Sequence, residues 1–163
     1  MNKRRILVLA IIFMVATTFI YYSKPTKVTV ELEGIRFNKN IENKIDNTAI
    51  KFEGYIYKKI SKPNTFRGHI YIDGKKYPHA SIDLLKDSYS DLLYWEGDEN
   101  SPVDGIFLSL GQIFIDENFS RFELRVSNEY GISTDETISA PASNMNEAEE
   151  VLQEIKYKIM SKY

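Results

Sequence analysis

The chain has 163 residues, with 21 basic and 23 acidic side chains and no cysteine. A length of this order accommodates one domain with a single hydrophobic core. The absence of cysteine excludes disulfide bonds and thiol nucleophiles. Behind the first 22 residues acidic side chains outnumber basic ones, which argues against a nucleic-acid partner, because lysine and arginine supply the binding to a phosphate backbone.

The first 22 residues combine a basic start with an uncharged apolar run of 17 residues. As a helix this run spans roughly 25 Å, the lower end of what crosses the hydrocarbon core of a bilayer. The pattern predicts a single-pass transmembrane helix with a cytoplasmic N-terminus, and a cleaved signal peptide is the alternative. The anchor residues are Ile6, Leu7, Phe13, Phe19, Tyr21 and Tyr22, and the topology residues are Lys3, Arg4 and Arg5.

This orientation defines the expected organisation of the whole chain. Residues 1–22 form a membrane anchor or an uncleaved signal-like segment, 23–27 a short stalk, and 28–163 one extracytoplasmic domain. The expected location is the cell membrane of a bacterium, with the domain outside, or secretion if the segment is cleaved. Without the three basic residues of the anchor, 18 basic side chains remain against 23 acidic ones, a net charge of −5.

Alternation of apolar and polar residues predicts a series of strands behind the stalk. Asp73-Gly74 favours a tight turn, and Pro78 favours the edge of a sheet. Residues 38–47 are interpreted as a loop or a short helical turn, and residues 130–143 as a loop. The predicted extended segments are 26–32, 49–60, 65–73, 75–85, 92–95, 106–115 and 119–127.

The last segment has the spacing of an amphipathic helix. Asn144 or Asn146 can cap it, since each has a glutamate three residues later. The predicted fold class is therefore α+β: an N-terminal transmembrane helix, then a mostly antiparallel twisted sheet of six or seven strands with the C-terminal helix packed on one face. The apolar stripe of that helix is Ala148, Val151, Leu152, Ile155 and Ile159.

Three strand and turn patterns are Phe66-x-Gly68-x-Ile70-x-Ile72-x-Gly74, Gly111-x-x-Phe114-Ile115 and Phe119-Ser120-x-Phe122. Behind a short N-terminal anchor, they resemble the small single-pass extracytoplasmic proteins of unknown function from Gram-positive bacteria. The resemblance covers most of the external domain. It implies a location in the cell envelope and carries over no catalytic residue.

Candidate catalytic groups are few. His69, His79 and Asp83 offer a base and a carboxylate, but the chain has no thiol and no serine in a nucleophile-elbow context. A catalytic zinc site also lacks a third histidine. We therefore interpret both histidines as surface residues and predict no catalytic residue, metal or cofactor.

One loop contains the oxygen ligands of a calcium site without its spacing. Asp98-Glu99-Asn100 and Asp104-Gly105 flank Pro102-Val103, where the 12-residue calcium pattern needs alternating ligands. A solvated turn is the expected structure, with weak calcium binding as the alternative.

The candidate binding residues form an aromatic strip on one face of the second and third predicted strands: Tyr55, Tyr57, His69 and Tyr71. If exposed, this strip suits a protein or cell-envelope partner. The alternative is that the terminal helix or a second sheet covers it.

These patterns predict a non-enzymatic, membrane-anchored binding or assembly module for a protein or envelope partner. The alternative function is an envelope hydrolase that acts through carboxylates such as Asp83 and Asp104.

Overall fold

The computed structural model describes residues 6, 10–14, 16–17, 24–38, 45–97, 105–128 and 132–161. Several predicted features lie outside these ranges. They are the topology residues Lys3, Arg4 and Arg5, the anchor residues Leu7, Phe19, Tyr21 and Tyr22, and the loop residues Asp98, Glu99, Asn100 and Asp104.

Among the described residues, eight antiparallel strands form one closed barrel in sequence order. Each strand pairs with the next, and the last returns to the first through pairs that run from Ile35–Ser139 to Asn38–Glu136. The strands are β1 (Thr26–Asn38), β2 (Ile45–Tyr57), β3 (Asn64–Ile72), β4 (Lys75–Leu84), β5 (Ser90–Glu96), β6 (Ile106–Ile115), β7 (Phe122–Ser127) and β8 (Ser133–Ala140).

The predicted α+β fold with an open sheet of six or seven strands is wrong. The strand that closes the barrel, β8, falls in the segment interpreted as a loop. Its inward side chains include Ile138, but its other face buries Thr137 and Ser139, which are 2% and 0% exposed. Because small polar residues occupy buried positions here, the strand lacks the apolar alternation that identifies a strand in a sequence.

The barrel interior is filled by its own side chains. The ring centroid of Phe52 lies 6.0 Å from that of Phe66, 5.4 Å from that of Phe119 and 5.5 Å from that of Phe122, all in edge-on contacts. Such contacts add to the stabilisation from burying the rings. Since the interior is a packed hydrophobic core, groups available to a ligand lie on the outer face.

The C-terminal helix, α1, spans Met145–Met160 and begins after Asn144, one of the two predicted caps. The Asn144 side chain accepts a hydrogen bond from the backbone N–H of Glu147 at 3.0 Å. The Glu147 carboxylate in turn accepts from the backbone N–H of Ser143 at 2.8 Å. This hydrogen bond is the largest cause of the lowered pKa of Glu147.

Helix α1 packs on the outer face of the barrel over β1, β7 and β8. Ala148 and Leu152 join Ile35 of β1 in one buried cluster, and Ile155 joins Phe114 of β6 in another. The helix therefore covers the side of the barrel where the first and last strands meet, and it leaves the outer face of β2, β3 and β4 uncovered.

The predicted transmembrane helix is also wrong. The described helical residues of the first segment, which include the exposed Ile6 and Phe13, all lie between Ile6 and Thr17. No helix within the described ranges is long and apolar enough to cross a membrane. The single-pass anchor and the membrane location inferred from it are therefore not supported.

Closure of the barrel makes a prediction about Gly34 of β1. A Cβ atom at this position would lie 2.4 Å from the carbonyl oxygen of Ser139 and 2.8 Å from Cβ of Ala140. We expect Gly34→Ala to push β1 away from β8 and to lower the free energy of unfolding by about 1–3 kcal/mol, the usual cost of overpacking. Denaturant-induced unfolding followed by circular dichroism measures this loss.

The matched control is Glu31→Ala, at an exposed position of the same strand. Its effect should stay within about 0.5 kcal/mol. Equal losses in the two variants would contradict the role of Gly34 in closure.

Candidate functional site

A cleft of about 770 Å³ lies on the outer face of β1 to β6. We call it the outer cleft. Its ionisable side chains are Lys27, Glu53, Arg67, His69 and His79. Aromatic and aliphatic side chains complete its walls, namely Tyr55, Leu93 and Phe107.

Strand register assembles most of this surface. Lys27 is paired with Tyr55, Tyr55 with Arg67, Arg67 with Ser81, and Ser81 with Leu93. Residues directly opposite each other in neighbouring strands point to the same face of a sheet. The five side chains therefore form one row across β1 to β5, about 19 Å long at 4.8 Å per strand.

Two glycines form the floor of the outer cleft. Gly54 of β2 is paired with Gly68 of β3. A Cβ atom on Gly54 would lie 2.3 Å from the carbonyl oxygen of Arg67, and one on Gly68 would lie 2.2 Å from that of Glu53. The two strands approach so closely that only glycine fits both positions. Backbone therefore forms the floor, and side chains from neighbouring positions form the walls.

An irregularity in β4 brings two imidazole rings together. The register between β3 and β4 shifts between Gly68 and Ile70, and His79 has a φ of +49°. A bulge of this kind redirects side chains. The ring centroids of His69 and His79 lie 5.7 Å apart, edge to face. The left-handed backbone at His79 costs about 1–2 kcal/mol, which identifies this position as strained.

The charge of the outer cleft is positive at the end formed by β1 to β3. Its carboxylate, Glu53, is held by Lys51 at 3.1 Å, and the hydrogen bond from Lys51 is the largest cause of the lowered pKa of Glu53. Within the described ranges, no carboxylate lies at ion-pair distance from Lys27 or Arg67. The two cations thus leave a local positive excess.

The opposite end of the outer cleft is apolar. Phe107 of β6 is 58% exposed, and Leu93 of β5 is also exposed. The Phe107 ring is held in place by an edge contact with Trp95, with 5.2 Å between ring centroids. The cleft therefore combines a cationic end with a hydrophobic end that the protein itself leaves open.

The four predicted binding residues all lie on the outer face of β2 and β3, but they do not form one site. Tyr55 and His69 line the outer cleft. The Tyr57 ring lies under the guanidinium of Arg67, 5.6 Å away, and the Tyr71 ring lies 5.4 Å from Nζ of Lys51. Helix α1, the alternative cover for this strip, packs over β1, β7 and β8 instead.

Sequence reasoning did not find Lys27, Arg67, Leu93 or Phe107. Alternation along β3 places Arg67 on the same face as His69, and this was the one available signal. The other three side chains reach the cleft through strand pairing and barrel closure. Hydrophobic periodicity along the sequence does not show which strands pair.

The other candidates from the sequence are placed away from the outer cleft. Asp83 accepts a hydrogen bond from Oγ1 of Thr65 at 2.7 Å and lies 3.8 Å from Nζ of Lys59. Both contacts are structural, and Asp83 does not line the cleft. No group of three or more histidine, cysteine or acidic side chains able to hold a metal occurs within the described ranges.

A second polar cluster lies beside the face that α1 covers. The side chain of Glu123 is fully buried, and it accepts hydrogen bonds from Oη of Tyr89 and, at 3.0 Å, from Nε of Arg125. Arg125 also donates to Oη of Tyr89 at 2.9 Å. Burial, and then the hydrogen bond to Glu123, raises the pKa of the Tyr89 phenol. The three groups satisfy one another, so we assign this cluster to stability.

Comparisons of the chain with protein-family models, with curated proteins and with solved structures found no match. The candidate site therefore depends on the geometry of this chain. The resemblance to small extracytoplasmic proteins stays a prediction.

The free energy of unfolding tests whether the backbone at His79 is strained. We expect His79→Gly to raise the free energy of unfolding by about 0.5–1 kcal/mol, because glycine adopts a positive φ without strain and His79 is exposed. Chemical denaturation measures the change.

The comparison variant is His69→Gly, which removes a partly buried side chain from a strand position without a positive φ. We expect it to destabilise the protein. If both glycine variants were equally destabilised, His79 would not be strained.

Proposed function

We propose that the protein is a non-enzymatic binding module and that the outer cleft receives its partner. One observation carries this proposal. Side chains as distant in sequence as Lys27 and Phe107 converge on one concave surface, while the interior of the barrel is occupied by its own core. A barrel of this kind offers a ligand its outer face.

The chemistry of the outer cleft favours recognition over catalysis. Partner surfaces are enriched in aromatic side chains and arginine, and the cleft presents Tyr55, Phe107 and Arg67. Acid–base catalysis needs a proton acceptor within reach of a reacting group. Among the described residues, the proton acceptors of the cleft are already in contact with other groups: Glu53 is engaged by Lys51, and the imidazole rings of His69 and His79 pack edge to face, 5.7 Å apart.

The size and openness of the surface support a protein as the partner. The row from Lys27 to Leu93 extends about 19 Å across five strands. Tyr55 in this row is 46% exposed, and Phe107, beyond its end on β6, is 58% exposed. Exposed aromatic side chains on a long open surface are typical of sites that bind other proteins.

Replacement of Tyr55 tests the proposal. A central aromatic contact in an interface contributes about 2 kcal/mol or more, equivalent to roughly a thirtyfold loss of affinity when it is removed. We expect Tyr55→Ala to abolish the crosslinks that the full chain forms with its partner in cells. Mass spectrometry of the crosslinked material identifies that partner and quantifies its loss.

Tyr157→Ala is the matched control, since Tyr157 is an exposed tyrosine on α1, away from the outer cleft. It should leave the crosslinks unchanged, and both variants should unfold at the temperature of the parent protein. Retention of the crosslinks in a folded Tyr55→Ala variant would rule out the outer cleft as the partner site.

A further inference from the structure

We propose that the outer cleft recognises an extended peptide segment that carries an acidic residue and, about three to five positions away, a large hydrophobic residue. This inference rests on the proposed binding function and specifies the class of ligand. It follows from the two chemically different ends of the cleft and from the distance between them.

The cationic end selects the acidic residue. Lys27 and Arg67 are exposed and have no described carboxylate at ion-pair distance. A cation–π contact, with 5.6 Å between Cζ of Arg67 and the centroid of the Tyr57 ring, places the Arg67 guanidinium over that ring. A carboxylate that docks there gains charge-assisted hydrogen bonds, which are about twice as strong as neutral ones. The local charge stands out because the whole chain carries a net charge of −2.

The apolar end selects the hydrophobic residue. Leu93 and Phe107 are exposed, and the contact between Trp95 and Phe107 fixes the position of the Phe107 ring. Covering these side chains with a partner's apolar group removes them from water, and the existing contact with Trp95 lowers the entropy cost of ordering the Phe107 ring.

The separation of the two ends sets the spacing in the ligand. Leu93 lies two strands from Arg67, and Phe107 lies three strands from it. At 4.8 Å per strand Leu93 lies about 10 Å from Arg67. Phe107 lies about 16 Å away, because it is also two residues along β6 from Ser109, the partner of Leu93. An extended peptide advances about 3.3 Å per residue. Three to five residues therefore connect a carboxylate at Arg67 to an apolar side chain at Leu93 or Phe107.

The probes are fluorescein-labelled octapeptides of serine and glycine with two adjacent aspartates and a phenylalanine. In the octapeptides the phenylalanine lies one or four positions from the nearest aspartate. A longer peptide places it eight positions away. Each spacing is made with the phenylalanine before and after the aspartates. Fluorescence anisotropy with the full chain measures binding. We expect the four-position peptide to bind tightest in one direction, with about tenfold weaker binding when asparagine replaces aspartate or alanine replaces phenylalanine.

Two variants of the protein change the affinity in opposite directions. Arg67→Gln should weaken binding of the four-position peptide about tenfold. Glu53→Gln removes the negative charge that Lys51 neutralises, and it should strengthen binding severalfold. A folding defect does not increase affinity, so this second result separates charge recognition from damage to the fold. Lys156→Gln removes an exposed cation on α1 and should change affinity less than twofold.

Equal binding of the aspartate and asparagine peptides, or equal effects of Arg67→Gln and Lys156→Gln, would overturn the inference. If the peptides failed in this way while Tyr55→Ala still abolished partner crosslinks, the ligand class would be wrong and the binding function would stand. If Tyr55→Ala also left the crosslinks intact, both proposals would fail.

Discussion

The pairing of β1 with β8 is the contact on which the rest of this structure depends. It closes the sheet, and closure encloses a core that includes the edge-on contacts of Phe52 with three other phenylalanine rings. The same junction gives α1 its docking surface around Ile35. Closure leaves the interior filled by the core, and α1 packs over β1, β7 and β8 and not over the outer face of β2 to β4. The close approach of the backbones at Gly34 shows how little space this junction leaves.

In the function we propose, the outer cleft gives a small barrel with a filled interior a recognition surface on its outer face. The cationic end of the cleft is positive because Lys51 neutralises Glu53, the carboxylate nearest to it. Among the described residues, the charge of Arg67 is then not balanced within the cleft. A chain with a negative net charge thereby acquires a locally cationic surface. The strained backbone at His79 fits this description, because strain is usually retained where it positions functional groups.

The sequence contains the local signals of this fold but not its closure. Alternation locates β3, and a capping asparagine with a glutamate three residues later locates the start of α1. The closing strand escaped detection because Thr137 and Ser139 fill buried positions with small polar side chains. Tyr55 and His69 were identified as candidates because they share a face within one hairpin. Phe107 was not, because only the pairing of β5 with β6 brings it to the cleft.

We propose that recognition occurs on the outer face of a filled barrel. Chemical-shift mapping by NMR tests it most directly, with the isotopically labelled full chain titrated by the aspartate–phenylalanine peptide at four-position spacing. We predict that the backbone amide signals of Tyr55, Arg67 and Ser81 move, while those of Phe122 and of α1 stay in place. Shifts concentrated at core residues such as Phe122, or along α1, with no change at Tyr55, Arg67 and Ser81, would contradict it.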